Sequence, residues 1–555
     1  MAKSERACSY RVLVLVRNIC YAIFMYSLTV GLFYVSPFTK STHDTSKTPT
    51  KSEAAINAGL GSGTNSRLRP ASLVSNINDA FLGPRPHVDS YANYTMLVER
   101  CRGSAEKLER MRKVGDCMTF LREKESEYLY IPQNPPSKQS ADFPTPEEAI
   151  PASKENIGTC PGPIVHYHTY WTGPATWRVE LFVKSYLYTQ NLPCSRLHIW
   201  LDADTNPNAI EDMKKDKLFA RFMPLVKRGD IILRAWKFPM RIPLPTLPED
   251  QAMGKNSKKA IIPSATGETA IGDGVVRKDD GSEWLVLTPR QMTFLPVAVS
   301  DAVRFIVLHL YGGVYCDMDI LMLKDMRPLL VTPEHSFAER WAAHLHPGDY
   351  NTAVMALSAN SSLSSYLLRG GIRMGLNFHP RIIGRMAYKD GRSEEFVMFE
   401  TALFDPIWTE FNWGREGACT IPCFKDYGQA FVGEKGAVLG GGEWDSYTGK
   451  QLETTPIHKR GQIPQNAEKI DPTKGDYNFE VDRYPPNNRT MENFFRGAFT
   501  YHIHNQWAKH PQPNSWIDVI ERAQDGFFAG NRTNVYGESW HGPSIAPYDI
   551  WPEFV

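Results

Sequence analysis

Residues 300–319 of this 555-residue chain read Ser-Asp-Ala-Val-Arg-Phe-Ile-Val-Leu-His-Leu-Tyr-Gly-Gly-Val-Tyr-Cys-Asp-Met-Asp. The apolar spacing before Tyr311 predicts a helix, and Gly312-Gly313 predicts its end because glycine accepts the tight turn that follows. Val314 to Cys316 then predicts a short buried strand, from whose end Asp317 and Asp319 emerge. Because α/β sheets bind ligands at the carboxyl ends of their strands, this stretch predicts both the α/β class and the position of a site.

The carboxylates of Asp317 and Asp319 predict a divalent cation. They lie one residue apart in an apolar segment, where two negative charges are costly to desolvate unless a cation meets them. Oxygen ligands with open coordination positions suit Mn²⁺ or Mg²⁺, and the open positions can hold a diphosphate. One alternative is a solvated turn, as in Asp202-Ala-Asp204. Another is an aspartyl-phosphate phosphatase, which is disfavoured because its motif requires Thr or Val where this chain has Leu321.

Outward from this motif, short apolar strands alternate with helical patterns, which predicts a mostly parallel sheet covered by helices. The predicted strands are Ile164–Tyr170, Leu197–Leu201 and Ile231–Trp236. The predicted helices are Trp177–Tyr188 and Pro296–Leu310. The stretch 241–283 is rich in Pro, Gly and Lys, so we expect a loop inserted over one face. Near the C-terminus, Phe499–His504 predicts a strand and Trp516–Ala523 a short helix.

The N-terminal part of the chain predicts a membrane anchor. Residues 18–39 are 22 positions without a charge, long enough for one helix to span a hydrocarbon core of ~30 Å. The excess of basic residues in 1–17 predicts a cytosolic tail. We therefore expect a signal anchor at 18–39, a polar stem at 40–155 with a helical segment near 93–125, and a lumenal body at 156–555. N-glycosylation acceptors such as Asn93 and Asn488 accord with a lumenal body.

Composition excludes several classes of protein. Lys and Arg number 62 against 61 Asp and Glu, so no chain-wide basic field exists and nucleic acid is not an expected partner. The nine Cys are too few for a disulfide scaffold, and none forms a CxxC pair typical of a zinc ribbon. Cys101 and Cys117 could join two antiparallel helices in an oxidising lumen, although spacing alone does not determine the pairing.

The string Ser300-Asp-x-x-Arg304, followed by Tyr311-Gly-Gly-Val-Tyr-x-Asp-x-Asp319, resembles the DXD-containing glycosyltransferases of family 32. A weaker likeness runs from about Ile164 to Trp507. The resemblance implies a GT-A-like, Rossmann-type mixed sheet flanked by helices, a nucleotide-sugar donor, Mn²⁺, and retention of configuration at the anomeric carbon. It also implies that Asp301 and Arg304 hold the sugar and ribose of the donor, that Tyr315 borders the donor, and that Asp317 and Asp319 bind ribose and metal.

The first predicted strand also carries the resemblance. Residues 164–173 are similar to the opening strand of the family, whose Trp stacks on the nucleotide base, and Trp171 is the candidate for that role. An aromatic face offers about 1–3 kcal/mol to a stacked base. A Trp at a strand end can equally belong to the hydrophobic core.

Residues 501–507 resemble the closing segment of the family, which returns a His to the metal and a Trp to the diphosphate. His504 is the candidate metal ligand with His502 as the alternate, and Trp507 is the candidate for the diphosphate. Because alternate residues of a strand share a face, His166 and His168 could instead form a four-histidine zinc site with this pair. Histidines without a ligand role are the remaining alternative.

Candidate acceptor and donor residues come from two more segments. Asp405 ends a segment that we expect to form an exposed turn, where it could orient an acceptor hydroxyl, or it could simply form the turn with the following proline. Asn351 begins an apolar strand and could touch the donor sugar, and Glu339 and Arg340 precede it with weaker support. Together with Asp301 and Arg304, Asp405 completes the predicted catalytic set.

The expected protein is thus a single-pass Golgi or ER membrane glycosyltransferase with a lumenal catalytic domain. The resemblance implies a UDP- or GDP-sugar as donor and a glycan or glycolipid as acceptor. The alternative is a non-catalytic, membrane-anchored module that binds carbohydrate or metal on the same fold. Loss of a metal-site Asp would favour that alternative, and both Asp317 and Asp319 are present.

Overall fold

The computed structural model describes residues 82–103, 116–133, 160, 162–245, 262–263, 268–288, 299–332, 336–341, 346–405, 497–503 and 516–547. All of them belong to one compact unit, 64–555. The expected cytosolic tail at 1–17 and anchor at 18–39 lie outside the described residues. Among the helices within these ranges, none has both the length and the apolar character that crossing a bilayer requires.

Strands and helices alternate along most of the described chain. The strands are β1 (Tyr91–Ala92), β2 (Leu129–Tyr130), β3 (Val165–Trp171), β4 (Ser195–Asp202), β5 (Ile231–Trp236), β6 (Arg241–Leu244), β7 (Ile262–Pro263), β8 (Glu268–Gly272), β9 (Val275–Lys278), β10 (Glu283–Val286), β11 (Gly313–Cys316), β12 (Ile320–Met322), β13 (Phe337–Arg340), β14 (Tyr350–Leu357), β15 (Val397–Phe399) and β16 (Thr500–His502). The helices are α1 (Tyr94–Cys101), α2 (Glu125–Tyr128), α3 (Trp177–Thr189), α4 (Ala209–Lys215), α5 (Met223–Arg228), α6 (Val299–Tyr311), α7 (Arg327–Leu330), α8 (Ser362–Arg373), α9 (Pro380–Lys389) and α10 (Trp516–Phe528). Residues 116–123 are also helical.

The central sheet has seven strands in the order β15-β13-β14-β11-β3-β4-β5. Strands β11, β3, β4 and β5 are parallel, whereas β14 is antiparallel to both of its neighbours, and β15 is parallel to β13. The predicted α/β class with a large mixed sheet is therefore confirmed. The carboxyl ends of β3, β11, β13 and β15 meet the amino end of β14 along one edge of the sheet.

Both faces of the central sheet are covered, as strand β11 shows. Its Val314 and Cys316 belong to the core cluster that also contains Phe182 of α3. The intervening Tyr315 belongs to a second core cluster, with Phe305 of α6. Since strands that are buried on both faces read as continuous apolar runs, the sequence pattern identified them well.

The described residues of the inserted stretch are largely strands, so the prediction of a loop at 241–283 was wrong for that part of it. Its described residues form an antiparallel sheet in the order β6-β10-β9-β8-β7. Asp273 has φ 50° between two positive-φ glycines, which makes the tight turn from β8 to β9. Ile242 and Leu285 are buried against the second core cluster. Glycine in this stretch therefore marks a hairpin turn.

Residues 82–103 and 116–133 pack on the body although they fall within the range predicted as a stem. Leu97, Phe120 and Tyr128 lie in the same core cluster as α3. A disulfide joins Cys101 to Cys117, which is the link that the sequence suggested between the two helical stretches. A second disulfide joins Cys160 to Cys194. The 155/156 boundary consequently does not coincide with the beginning of the hydrophobic core.

Arg85 connects three distant parts of the chain. Its guanidinium donates two hydrogen bonds to the carboxylate of Glu538, at 2.7 and 2.6 Å. It also donates to Asp325 Oδ2 at 2.8 Å and to the backbone oxygen of Thr189 at 2.7 Å. The ring of Tyr536 lies 4.2 Å from the guanidinium carbon. These contacts of Arg85 join the first described residues of the body to residues near its C-terminal end and to Thr189 and Asp325.

Candidate active site

The turn between α6 and β11 requires glycine. Gly312 and Gly313 have φ of 66° and 86°, in the left-handed region. A Cβ atom on Gly313 would lie 2.1 Å from the backbone oxygen of His166 on β3. Only a residue without a side chain therefore lets β11 pair closely with β3, and this pairing sets where Asp317 and Asp319 leave the sheet.

A buried guanidinium organises the first side of the site. Arg304 Nη2 lies 3.1 Å from Asp301 Oδ1 and 3.2 Å from Asp317 Oδ1. Its Nη1 donates to Thr352 Oγ1 at 2.8 Å, and its guanidinium lies 5.0 Å from the ring centre of Tyr315. Burial lowers the pKa of Arg304, but the carboxylates of Asp317 and Asp301 outweigh this and raise it. Arg304 therefore remains a fixed positive charge.

Tyr315 supports this arrangement from inside the protein. Its side chain is buried, with 1% of its surface exposed, and it packs beneath the guanidinium of Arg304. Burial and the neighbouring Asp317 carboxylate raise its pKa well above the ordinary value for tyrosine. In the described structure Tyr315 is therefore a supporting residue for Arg304.

Asp317, Asp319 and His502 form a candidate metal centre. One ligand atom from each lies within 4.8 Å of the other two, and this is the only such group of three among the described residues. His502 Nε2 is 3.2 Å from Asp319 Oδ1, because β16 pairs with β12 and the Ile503 N–H donates to the Asp319 backbone oxygen. Two carboxylates and an imidazole, with partly exposed Asp side chains, are a donor set that fits Mn²⁺ or Mg²⁺.

The electrostatics of this centre point to a cation. Burial raises the pKa of Asp317 to about 6, Arg304 opposes this, and Asp319 adds to it. Burial acts to lower the pKa of His502, but Asp319 overcomes that effect and raises the pKa to about 9. The carboxylates thus repel one another while they attract any nearby positive charge. A divalent ion bound between them would offset their repulsion.

Trp171 and Arg178 lie at and just after the carboxyl end of β3. Trp171 ends β3 and is partly buried, and its Nε1 donates to the Pro174 backbone oxygen at 2.9 Å. The guanidinium carbon of Arg178 is 5.0 Å from the centre of the Trp171 ring. Burial lowers the pKa of Arg178 below its ordinary value, and the charge of Asp319 opposes this only in part. Arg178 is therefore a cation beside the predicted base platform.

Asp405 is not in an exposed turn, so that expectation was wrong. Its residue exposure is 0%, as is that of Glu339. Asn351 Nδ2 donates a hydrogen bond to Glu339 Oε2 at 3.1 Å. Burial raises the pKa of Glu339 well above its ordinary value, and the charge of Asp405 raises it further. Asp405 is therefore not in contact with solvent, and its charge contributes to the raised pKa of His502.

The described histidines do not form the suggested four-histidine site. His166 Nδ1 lies 2.9 Å from His198 Nε2, and His198 Nδ1 accepts a hydrogen bond from Arg234. His168 accepts from Trp200 and contacts the Gly312 backbone oxygen, which occupies both of its ring nitrogens. His502 belongs to the carboxylate cluster instead. His504 and Trp507 lie outside the described residues.

The sequence interpretation missed Arg178 and Thr352. Arg178 is the second residue of the helix that follows the predicted Trp171, and this position after the carboxyl end of a strand was the available signal. Thr352 follows Asn351 in β14, and nothing in the sequence distinguished its hydroxyl from that of any other strand threonine.

Comparison with known proteins bears on the segment that contains these carboxylates. Residues 272–337 match the glycosyltransferase sugar-binding region containing the DXD motif. The matched segment includes Asp301, Arg304, Asp317 and Asp319, so the predicted resemblance is confirmed. The chain therefore contains a segment similar to this glycosyltransferase sugar-binding region, and Asp317 and Asp319 form the Asp-x-Asp triplet within it.

Two other comparisons add little about this segment. None of the curated protein sequences compared with the chain matches it. Among solved structures, a chain described as "PaToxG Glycosyltransferase" is 10% identical, with a TM-score of 0.26 over 60% of this chain and 87% of that chain. Similarity at that level does not establish a shared arrangement of the site.

Proposed function

We propose that this protein is a metal-dependent glycosyltransferase of GT-A type that transfers a sugar from a UDP- or GDP-sugar to a glycan or glycolipid hydroxyl, with retention of configuration. The observation that carries the proposal is the convergence of Asp317, Asp319 and His502 at the carboxyl edge of the sheet, beside the fixed charge of Arg304. Partly exposed Trp171 at the same edge offers a face for a nucleotide base.

Each residue has a distinct part in this proposal. Asp317, Asp319 and His502 would hold Mn²⁺ or Mg²⁺, which supplies positive charge to the departing diphosphate. Arg304 holds Asp301 and Asp317 in place, so these carboxylates are oriented before the donor arrives. Preorganisation of this kind contributes to rate because the protein does not reorganise during the reaction.

Turnover tests the proposal directly. The full-length protein is incubated with Mn²⁺, an acceptor mixture of glycans and glycolipids, and a panel of nucleotide sugars, and released nucleotide is measured. We expect release from one donor, loss of release in chelator, and loss in Asp319→Asn. Asp202→Asn is the matched control because it alters an Asp-x-Asp triplet that caps a turn, with Asp202 accepting from Thr205 Oγ1 at 2.7 Å. Nucleotide binding without any release would instead support the non-catalytic module.

Trp171 provides a second test, because stacking and core packing predict different outcomes. If a base stacks on Trp171, Trp171→Ala should raise the nucleotide dissociation constant about 5- to 150-fold, equivalent to ~1–3 kcal/mol, with a modest loss of stability. Trp177→Ala is the control, since Trp177 is 2% exposed and should lose ~3–5 kcal/mol of folding free energy. A large loss of stability in Trp171→Ala with unchanged affinity would remove Trp171 from the binding site.

We also propose that residues 18–39 anchor the protein in the Golgi or ER membrane with its body in the lumen. Two disulfides in the body, Cys101–Cys117 and Cys160–Cys194, support an oxidising compartment. Carbonate-washed membranes should retain the protein, and an N-glycosidase should reduce its mass. Release into the wash together with an unglycosylated chain would contradict this location.

A further inference from the structure

Strand β14 departs from regular strand geometry beside the candidate active site. Ala338 of β13 pairs with Met355, but the next residue, Glu339, pairs with Asn351, so residues 352–354 form a bulge in β14. The Asn351 side chain holds this bulge: its Oδ1 accepts from the backbone N–H two residues later, and its Nδ2 donates to Glu339 Oε2, both at 3.1 Å. A bulge next to a site changes the direction in which nearby side chains point.

The bulge places Thr352 on the face of the sheet where Arg304 lies. Side chains of a regular strand alternate between the two faces, so Thr352 would ordinarily share a face with Val354. Ala353 and Val354 are consecutive, yet both belong to the same core cluster, which shows that the alternation is interrupted between them. Thr352 is thereby turned to the opposite face, where Tyr315 packs beneath the guanidinium of Arg304.

The hydroxyl of Thr352 fixes the plane of this guanidinium. Thr352 is 1% exposed, and its Oγ1 accepts from Arg304 Nη1 at 2.8 Å. A guanidinium that is free to turn tends to pair with one carboxylate through two of its nitrogens. With Nη1 held by Thr352, Nη2 is instead shared between Asp301 and Asp317, at 3.1 and 3.2 Å.

The next residue of the bulge holds the backbone of the same metal ligand. The backbone N–H of Asp317 donates to the Ala353 backbone oxygen at 2.8 Å. The side chain of Asp317, through Arg304, and its main chain are therefore both positioned by two adjacent residues of β14.

We propose that Thr352 is a positioning residue of the transfer reaction, which acts through Arg304 on the carboxylates of Asp301 and Asp317. This rests on the proposed function, because it assumes that these carboxylates serve a metal-dependent transfer. The rival explanation is that Thr352 only fills space in the core, as its neighbours in β14 do. The two explanations differ in the part of the side chain that matters, which is the hydroxyl in the first and the methyl group in the second.

Two substitutions separate the hydroxyl from the methyl group. Thr352→Val keeps the branched shape and removes the hydroxyl, whereas Thr352→Ser keeps the hydroxyl and removes the methyl group. Thr189→Val is the matched control, because Thr189 is 0% exposed and its hydroxyl donates within α3, to the Ser185 backbone oxygen at 2.7 Å. Mn²⁺ affinity, from the metal-dependent rise in melting temperature, and kcat and KM for the donor are measured on each full-length protein.

We expect Thr352→Val to lower kcat about 10- to 100-fold and Mn²⁺ affinity at least about threefold, since partners that orient metal ligands typically contribute effects of this size. KM for the donor should change less than about threefold, because the loss concerns orientation rather than uniform binding. Thr352→Ser should stay within about threefold of the wild type in kcat and in Mn²⁺ affinity. Thr189→Val should lose stability and keep both.

The reverse order, with Thr352→Ser impaired and Thr352→Val unaffected, or equal effects of the two, would overturn the assignment of Thr352 alone. If Thr352→Val does not fold, Thr352→Cys replaces it, and its weak acceptor should leave it impaired where Thr352→Ser is not. Mn²⁺ binding by a wild type that uses no donor would contradict the proposed function, and the order of the Mn²⁺ affinities would still decide the role of Thr352. A wild type that neither binds Mn²⁺ nor uses a donor would overturn both.

Discussion

Replacing Asp317 by Asn should stabilise the metal-free protein at neutral pH, although the same change removes a predicted metal ligand. Asp317 is ionised in the folded state at a cost, because burial raises its pKa from an ordinary 3.8 to about 6 even with Arg304 beside it. Between these values the folded state binds more protons than the unfolded state, so the free energy of unfolding falls as the pH rises. Asparagine cannot ionise and avoids that cost.

The size of the effect follows from the pKa and the exposure of Asp317. A rise of about two pKa units corresponds to about 3 kcal/mol at 1.36 kcal/mol per unit. The side chain is 28% exposed, so solvent screening reduces the expected gain to about 1–2 kcal/mol. The advantage of the variant should be complete above about pH 6 and should vanish near pH 4, where both states of the wild type hold the proton.

Urea titrations of the wild type and Asp317→Asn in chelator, at pH 7 and at pH 4.5, measure this difference. Excess Mn²⁺ should reverse the order at pH 7, because only the wild type gains free energy from the ion. Asp202→Asn serves as the control and should gain no stability at either pH. If Asp317→Asn is less stable than the wild type in chelator at pH 7, the loss of the pairing with Arg304 outweighs the relief of burial, and this reasoning about the site is wrong.

Three further predictions concern other parts of the molecule. Asp319→Asn should lower the affinity for Mn²⁺ at least about tenfold, seen as loss of the Mn²⁺-dependent rise in melting temperature, and an unchanged rise would contradict the metal assignment. Replacing Cys101 and Cys117 together by Ser should cost about 2–4 kcal/mol of unfolding free energy in urea, and no change would mean that the link adds nothing to stability. Burial lowers the pKa of His309 to about 4, so the unfolded state binds more protons between pH 4 and 6.5, and stability falls as the pH falls through that window. His309→Gln should remove roughly 2–3 kcal/mol of that fall in pH-dependent melts, and an identical pH dependence in both proteins would refute the role of this residue.

The core of the site could be predicted because its residues are close in the sequence. Asp301 and Arg304 lie on one helix turn, and Asp317 and Asp319 follow through a glycine turn and one strand, so local periodicity brings them together. The choice between His502 and His504 could not be made in this way. The two residues have the same parity on a strand, and it is the pairing of His502 with Ile320 that brings His502 to Asp319.

Long-range burial explains the remaining differences from expectation. Asp405 lies in a proline-containing segment that would usually form a surface turn, yet packing from distant elements leaves it fully buried. The stretch 241–283 has the composition of a loop, but hydrophobic contacts with α6 and α8 stabilise its short paired strands. Neither the burial of Asp405 nor the packing of 241–283 against the helices can be recognised from the residues of the segment alone.

The position of Arg85 limits how far the protein can be shortened. A version cut at the predicted 155/156 boundary would lack this arginine and would leave the carboxylate of Asp325, 3% exposed, without its partner. It would also lack β1, α1 and the Cys101–Cys117 link, and would uncover the apolar surface on which they pack. A secreted form suited to crystallisation or to the binding experiments above should therefore begin before Leu82 and continue beyond Glu538.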